Sequence, residues 1–447
     1  MKSIGNPVFC LFILFFFSNG QAQQPDSLTL DQAIQKVLES HPLLEQSAHK
    51  IEAAQAGINL SESTSYPYIE GELSYSRIGP VPTLSIPDMG SFSLFPADNY
   101  DAHVGVGYTL YDFGKRKTGT ELAQNGLNAA TEDKQETQNR LAFQTVSVFY
   151  SILFLQKEIE VLDEEIAALQ SHLDVTEKRV QTGSATSFDV LTTRVRVSNT
   201  QNEKVDAESE LQKQLLMLKS ILGVKSTEKI SLKGDFNSIL PAVPENSMWL
   251  ELAYKQRSEM KMALNALNRF EIESRLAALG NKPMVKLHGL FGIKDGYIPD
   301  LTQPKFNWVA GVGINIPLFD GYATHFKEQQ AQANLAAARS YSEEVRRELS
   351  IEVNQAIEDV TARKKKLEAT QLQLDQANEA VTLADKQYEN GVVTNLELLD
   401  ARAAQAQARL LKTRALYNLV LSEYRLEMVS GNLVDENGKI VTKNFRT

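Results

Sequence analysis

The stretch YENGVVTNLELLD, Tyr388 to Asp400, has an earlier counterpart in VQTGSATSFDVLT, Val180 to Thr192. Gly183 and Gly391 stand 208 positions apart, and the same offset carries Asp112 onto Asp320, Thr186 onto Thr394, Asp189 onto Glu397 and Gly223 onto Gly431. A spacing held over more than a hundred residues means that neither copy gained or lost a residue there, as long helices require. The chain is therefore a tandem duplication, a feature that overrides any domain count taken from length.

Working outward from Gly183, the segment 113–181 holds no proline. Leu155, Ile159, Leu162, Ile166, Leu169 and Leu173 alternate steps of four and three, the seam of a coiled coil. Nearly seventy residues at 1.5 Å each make a helix on the order of 100 Å long. Gly183 suits a left-handed cap, Ser184 or Thr186 can open the next helix, and the return helix 187–222 stops at Gly223. The second copy has a long helix 321–389 with a smaller, more polar seam (Leu367, Thr370, Leu374, Ala377, Val381, Ala384, Tyr388) and a return helix 395–429.

Each long helix follows a pair of alternating segments. In 68–78, Ile69, Gly71, Leu73 and Tyr75 alternate with Glu70, Glu72, Ser74 and Ser76; in 103–111, Val104, Val106, Tyr108 and Leu110 alternate with Gly105, Gly107 and Thr109. The second pair is expected at 284–294 and 307–318. Gly79 to Asn99, with four prolines, and Asp295 to Phe306 read as loops, and Asp112-Phe113-Gly114 and Asp320-Gly321 as strand-to-helix junctions. A single helix is expected over Leu28 to Glu62, where His41-Pro42 ends or bends it, and another over Met248 to Leu279. If the first helix, Leu30 to Glu62, stacks end to end on the return helix 187–222, the two together match the long one in length. The resulting organisation is a signal peptide 1–22, a first repeat 23–223, a linker 224–247 with Pro241 and Pro244, a second repeat 248–431 and a polar tail 432–447.

The leader reading rests on Lys2, the apolar run Val8 to Phe17, and a small-x-small cleavage site at Gly20-Gln21-Ala22. The run is too short to span a bilayer. The lone Cys10 lies inside it, without the small residues that a lipoprotein signal places just before its cysteine, so a mature chain with no thiol and no lipid anchor is expected. The full chain's formal charge of −10, or −11 once Lys2 is removed, argues against a nucleic-acid partner. If the mature chain crosses a membrane it does so with strands, and four strands cannot close a barrel without leaving an edge in lipid. Oligomerisation follows, with two copies supplying eight strands or three supplying twelve. Taken singly, each strand also fits a soluble sandwich.

The motifs TLYDFGKR (Thr109 to Arg116), IPLFDG (Ile316 to Gly321), TGSATSFDVL (Thr182 to Leu191) and NGVVTNLELLDA (Asn390 to Ala401), in duplicated order, resemble the TolC family of outer-membrane efflux proteins. The resemblance covers Leu28 to Gly431. It implies a mainly α fold with a transmembrane β part: a homotrimer whose twelve-stranded barrel, four strands per chain, continues into an α-helical tunnel across the periplasm. The implied partners are outer-membrane lipid, a periplasmic adaptor and an inner-membrane transporter. Conduction would be passive, and Gly183 and Gly391 would lie at the periplasmic mouth.

Glu397 and Asp400, three apart on one helix face, would give a trimer a ring of six carboxylates able to select cations. Read from the residues alone they are acids favoured at a helix start by its dipole. The resemblance reverses that reading, because family members carry acids at these constriction positions. It also places Asp189 and Tyr388 among the links that hold the mouth shut. The matching basic residue falls at Val393, so the same salt bridge is not expected; Arg402 and Arg194 are the candidate substitutes.

Six histidines (His41, His49, His103, His172, His288, His325) lack metal-ligand spacing, and neither a phosphate loop nor a nucleophile elbow is present, so neither a cofactor nor an enzyme activity is expected. A periplasmic coiled-coil adaptor would explain the heptads but not four strands with lipid-facing alternation.

Overall fold

The computed structural model describes residues 27–237, 246–298, 300–431, 433–435, 439 and 441. The leader, Pro241 and Pro244 of the linker and most of the tail lie outside the described residues. In chain order the elements are α1 (Leu30–Ser40), α2 (Pro42–Ser63), β1 (Tyr68–Arg77), β2 (Thr83–Ile86), β3 (Gly90–Ser93), β4 (Asp98–Tyr111), α3 (Lys115–Gln181), α4 (Ser187–Ile221), α5 (Asn246–Gln256), α6 (Ser258–Ala278), β5 (Met284–Lys294), β6 (Lys305–Asn315), α7 (Ala323–Glu389) and α8 (Asn395–Val429).

The helix expected over Leu28 to Glu62 is two helices. Pro42 cannot donate to the carbonyl four residues back and sits at the first position of α2, while His41 is extended (φ −75, ψ 130) and its Nδ1 accepts from the Leu43 N–H at 3.2 Å. The Met248 to Leu279 helix likewise breaks, at Arg257 (φ −63, ψ 127). No proline marks this second break. The Arg257 side chain instead ties three elements together, donating to Glu259 at 2.6 Å and to the Val429 carbonyl at 2.9 Å, and pairing with Glu352 at 2.9 Å. The Gly79 to Asn99 loop contains the β2–β3 hairpin, and the second long strand starts at Asp98 rather than His103. Tyr75 and Tyr100 face each other there at 5.1 Å, and Arg77 pairs with Asp98, so pairing continues past the alternating stretch.

The four long strands form one antiparallel sheet in the order β1-β4-β5-β6. Registers such as Glu72↔His103, His103↔Gly292 and Gly292↔Asn307 put Glu70, Glu72, Asp101, His103, Lys286, His288, Lys294 and Asn307 on one face. Ile69, Leu73, Val104, Val106, Phe291, Phe306, Trp308, Val312 and Ile314 occupy the other. The polar face is tied across strands: His103 Nε2 meets Asn307 Oδ1 at 3.0 Å, its Nδ1 meets Asp101, and Asp101 pairs with Lys294 at 3.1 Å. On the apolar face Ile69 is 71 %, Phe306 71 % and Trp308 69 % exposed. Transferring such area out of water is favourable by about 25 cal/mol per Å², so a partner or a bilayer must cover it.

Both strand-to-helix junctions use two successive left-handed residues, Phe113 and Gly114 (φ 55 and 89) in the first copy and Gly321 and Tyr322 (φ 66 and 65) in the second. Glycine takes the second position in one copy and the first in the other. Asp112 accepts from the Gly114 and Arg116 N–H groups (3.1 and 3.0 Å), and Asp320 accepts from the Thr324 N–H (2.8 Å), so each aspartate caps its long helix from outside it.

Below the junctions, α1, α2, α4, α6 and α8 pack on α3, and α5, α6 and α8 pack on α7. The main core lies where the short helices meet the long ones, around Ile34, Phe149, Ile152, Leu218, Trp249, Val353, Val360 and Leu426. Toward the hairpin tips it thins to a small cluster, Leu169, Val197 and Leu399, contributed by α3, α4 and α8.

Candidate functional site

Both hairpin tips are built alike. Gly183 (φ +75) closes α3 and Gly391 (φ +72) closes α7, a conformation that glycine adopts without the penalty a Cβ would bring. The Ser184 N–H reaches back to the Arg179 carbonyl, and the Val392 N–H to the Gln387 carbonyl, both at 2.8 Å. Thr186 and Thr394 then open the return helices with capping boxes. Asp189 Oδ2 accepts from the Thr186 N–H (2.9 Å), and Glu397 Oε2 accepts from the Thr394 N–H (2.7 Å). Hydrogen bonds from the Thr394 backbone and hydroxyl hold the Glu397 carboxyl below its ordinary range.

The structure shows no side-chain bond among Asp189, Tyr388, Glu397 and Asp400 in the described residues; each is held by a different partner. Tyr388 is buried at the end of α7, its ring under the Arg179 guanidinium (4.4 Å) and edge-on to His172 (5.2 Å). His172 Nε2 donates to Asn395 Oδ1 at 2.7 Å, and Asn395 Nδ2 donates to the Asp189 carbonyl and to Thr193 Oγ1, both at 3.3 Å. This single buried amide joins α3, the start of α4 and the start of α8. Burial pushes the His172 imidazole below its ordinary range, the Asn395 hydrogen bond opposing that shift.

Of the two arginines considered as locks, Arg194 pairs with Glu177 in its own hairpin (2.6 Å), and Arg402 pairs with Asp385 (2.7 Å) one turn deeper. The cation that reaches the carboxylate pair is Arg196, whose Nη2 lies 2.8 Å from Asp400 Oδ1 and so links α4 to α8. Both side chains are about half exposed, and pairs of that kind contribute at most about 1 kcal/mol. No sequence motif marks Arg196. The available signal is the divergence of the copies, which pair Thr192 and Arg196 in the first with Asp400 and Ala404 in the second.

Long paired hairpins joined through capped junctions to an amphipathic four-stranded sheet are the architecture of an outer-membrane channel subunit. The sequence model of the Outer membrane efflux protein family matches residues 33–224 and 249–432, and the chain belongs to that family. It is 22% identical over 356 residues to the alkaline protease secretion protein AprF of Pseudomonas aeruginosa, covering 78% of this chain and 73% of that one. It is 24% identical over 396 residues to protein CyaE of Bordetella pertussis, covering 87% and 81%. Its fold is shared with the open-state MtrE outer membrane channel of Neisseria gonorrhoeae, with a TM-score of 0.76 at 16% identity over 90% of this chain and 88% of that one. Family membership removes the adaptor reading, and the fold is that of the outer-membrane efflux channels.

Proposed function

We propose that this chain forms the outer-membrane conduit of a tripartite efflux or type I secretion assembly, as a homotrimer whose twelve strands close a barrel and whose helices form a periplasmic tunnel. The number three follows from the family's fold, and the observation that carries the oligomer is the sheet itself. It has one polar and one apolar face, and β1 and β6 sit at its two ends, each paired on one side among the described residues. Such edges are not tolerated in lipid, so copies must complete one another. The polar face then lines the lumen and the Trp308 face meets lipid. The hairpin tips at Gly183 and Gly391 form the periplasmic mouth that engages an adaptor and an inner-membrane transporter; the channel conducts passively, and the energy for export comes from the transporter. At that mouth Glu397 and Asp400 of three subunits form a carboxylate ring, and Asp189 and Tyr388 belong to the contacts that keep it closed.

Fractionation tests the conduit. A heat-resistant oligomer released from outer membrane only by detergent, and conducting in planar bilayers, is the expected result. Release of a non-conducting monomer by osmotic shock would overturn the proposal.

A further inference from the structure

We infer that Arg196 is a specificity-determining residue of the mouth, one that offsets half of the charge of the carboxylate ring and sets how tightly that ring holds multivalent cations. The inference rests on the ring proposed above and adds a residue that lies outside it.

The geometry is asymmetric between the two acids. Glu397 commits Oε2 to the Thr394 N–H and hydroxyl (2.7 and 2.9 Å), which fixes its position but adds no compensating charge. Asp400 faces a full positive charge, the Arg196 guanidinium at 2.8 Å. Each subunit thus brings two carboxylates and one guanidinium to the constriction, and three subunits carry a net charge of three rather than six.

The arginine comes from the other copy of the repeat, so it bridges the two hairpins instead of lying along α8. Its position is set by packing, because the next residue, Val197, is buried against Leu399, the neighbour of Asp400. Arg196 also lies in the field of Glu165 on α3, which desolvation and the nearby Glu203 push up to about 7; near neutral pH this carboxyl competes with Asp400 only in part. Arg196 therefore acts mainly on Asp400. Ring electrostatics of this kind govern ion selection in channels.

The test uses the purified full-length oligomer in planar bilayers, with potassium chloride gradients and La³⁺ added on the side of the hairpin tips. Four proteins are compared: wild type, Arg196→Gln, Arg196→Lys, and the Glu397→Gln/Asp400→Asn double variant. Arg196→Gln should shift the reversal potential toward stronger cation preference and lower the half-blocking La³⁺ concentration about tenfold, given the Coulomb energy between charges a few ångströms apart. Arg196→Lys should behave as wild type, showing that charge and not lost packing is responsible. If Arg196→Gln matches wild type in both readouts while the double variant loses block, the role assigned to Arg196 is wrong and the ring survives. If the double variant blocks like wild type, the ring reading fails and this inference fails with it.

Discussion

The Arg179 guanidinium lies 4.4 Å over the ring of Tyr388, and its Nη1 donates at 3.3 Å to the backbone carbonyl of that same tyrosine. One side chain at the end of the first long helix thereby holds both the ring and the main chain at the end of the second. With little apolar core at the tips, such contacts set how easily the two hairpins part. Cation–π contacts contribute from about 0.5 to about 2 kcal/mol according to desolvation. Arg179→Ala should raise the open fraction of the mouth by up to roughly 30-fold, read as increased basal conductance. An unchanged conductance would remove Arg179 from the closed state.

The capping boxes make a separable prediction. Thr394→Ala removes the acceptor of the Glu397 N–H and one of the two hydrogen bonds to the Glu397 carboxylate, leaving the bond from the Thr394 N–H, at a cost of about 1 kcal/mol to the first turn of α8. Hydrogen exchange in residues 395–398 should accelerate about fivefold by that cost, with Thr186→Ala doing the same at 187–190 and neither changing the strands.

Acid should loosen the mouth through His172. Its folded value lies below the ordinary 6.5, so the unfolded or opened state binds the proton more readily. Its contribution to closure is complete above about pH 6.5 and is lost as pH falls through the lower folded value. Arg402 and Arg179 oppose its protonation and Asp385 favours it. Glu165 works the other way: its raised value, about 7, favours the packed helices at low pH, and that benefit is lost as pH rises from the ordinary carboxylate range toward 7. A Glu165→Gln background should therefore leave a plain acid-induced rise in tip hydrogen exchange below pH 6.5, and adding His172→Gln should flatten it.

The sheet offers a contrast within one strand. A Cβ on Gly292 would collide with the Ala102 carbonyl oxygen and fall 2.7 Å from His103 Cα, whereas one on Gly289 would meet nothing within 4 Å. Gly292→Ala should sharply reduce recovery of heat-resistant oligomer from outer membrane, and Gly289→Ala should leave it unchanged.

These contrasts mark what a single sequence can and cannot carry. The duplication, the glycines at 183 and 391 and the heptad seams are local or periodic signals, and the break at Pro42 follows from a missing N–H. The equivalent break at Arg257 has no proline to mark it, and two of the three partners that hold Arg257, Glu352 and the Val429 carbonyl, arrive from distant segments. The same holds at the mouth. Glu397 and Asp400 were legible as neighbours on a helix face, but Arg196, Arg179 and the His172–Asn395 bond join positions about two hundred residues apart, and no i, i+3 or i, i+4 spacing encodes them. Arg194 and Arg402 were plausible from proximity in sequence, yet nearer acids, Glu177 and Asp385, hold them.

The central claim is that three copies form a conducting channel whose narrowest charged point is Glu397 with Asp400. Single-channel recording of the detergent-purified oligomer, with a multivalent cation added on the side of the hairpin tips, tests it most directly. The wild-type channel should conduct and be blocked, and Glu397→Gln with Asp400→Asn should abolish the block while conduction persists. Absence of conductance, or equal block in the double variant, would contradict it.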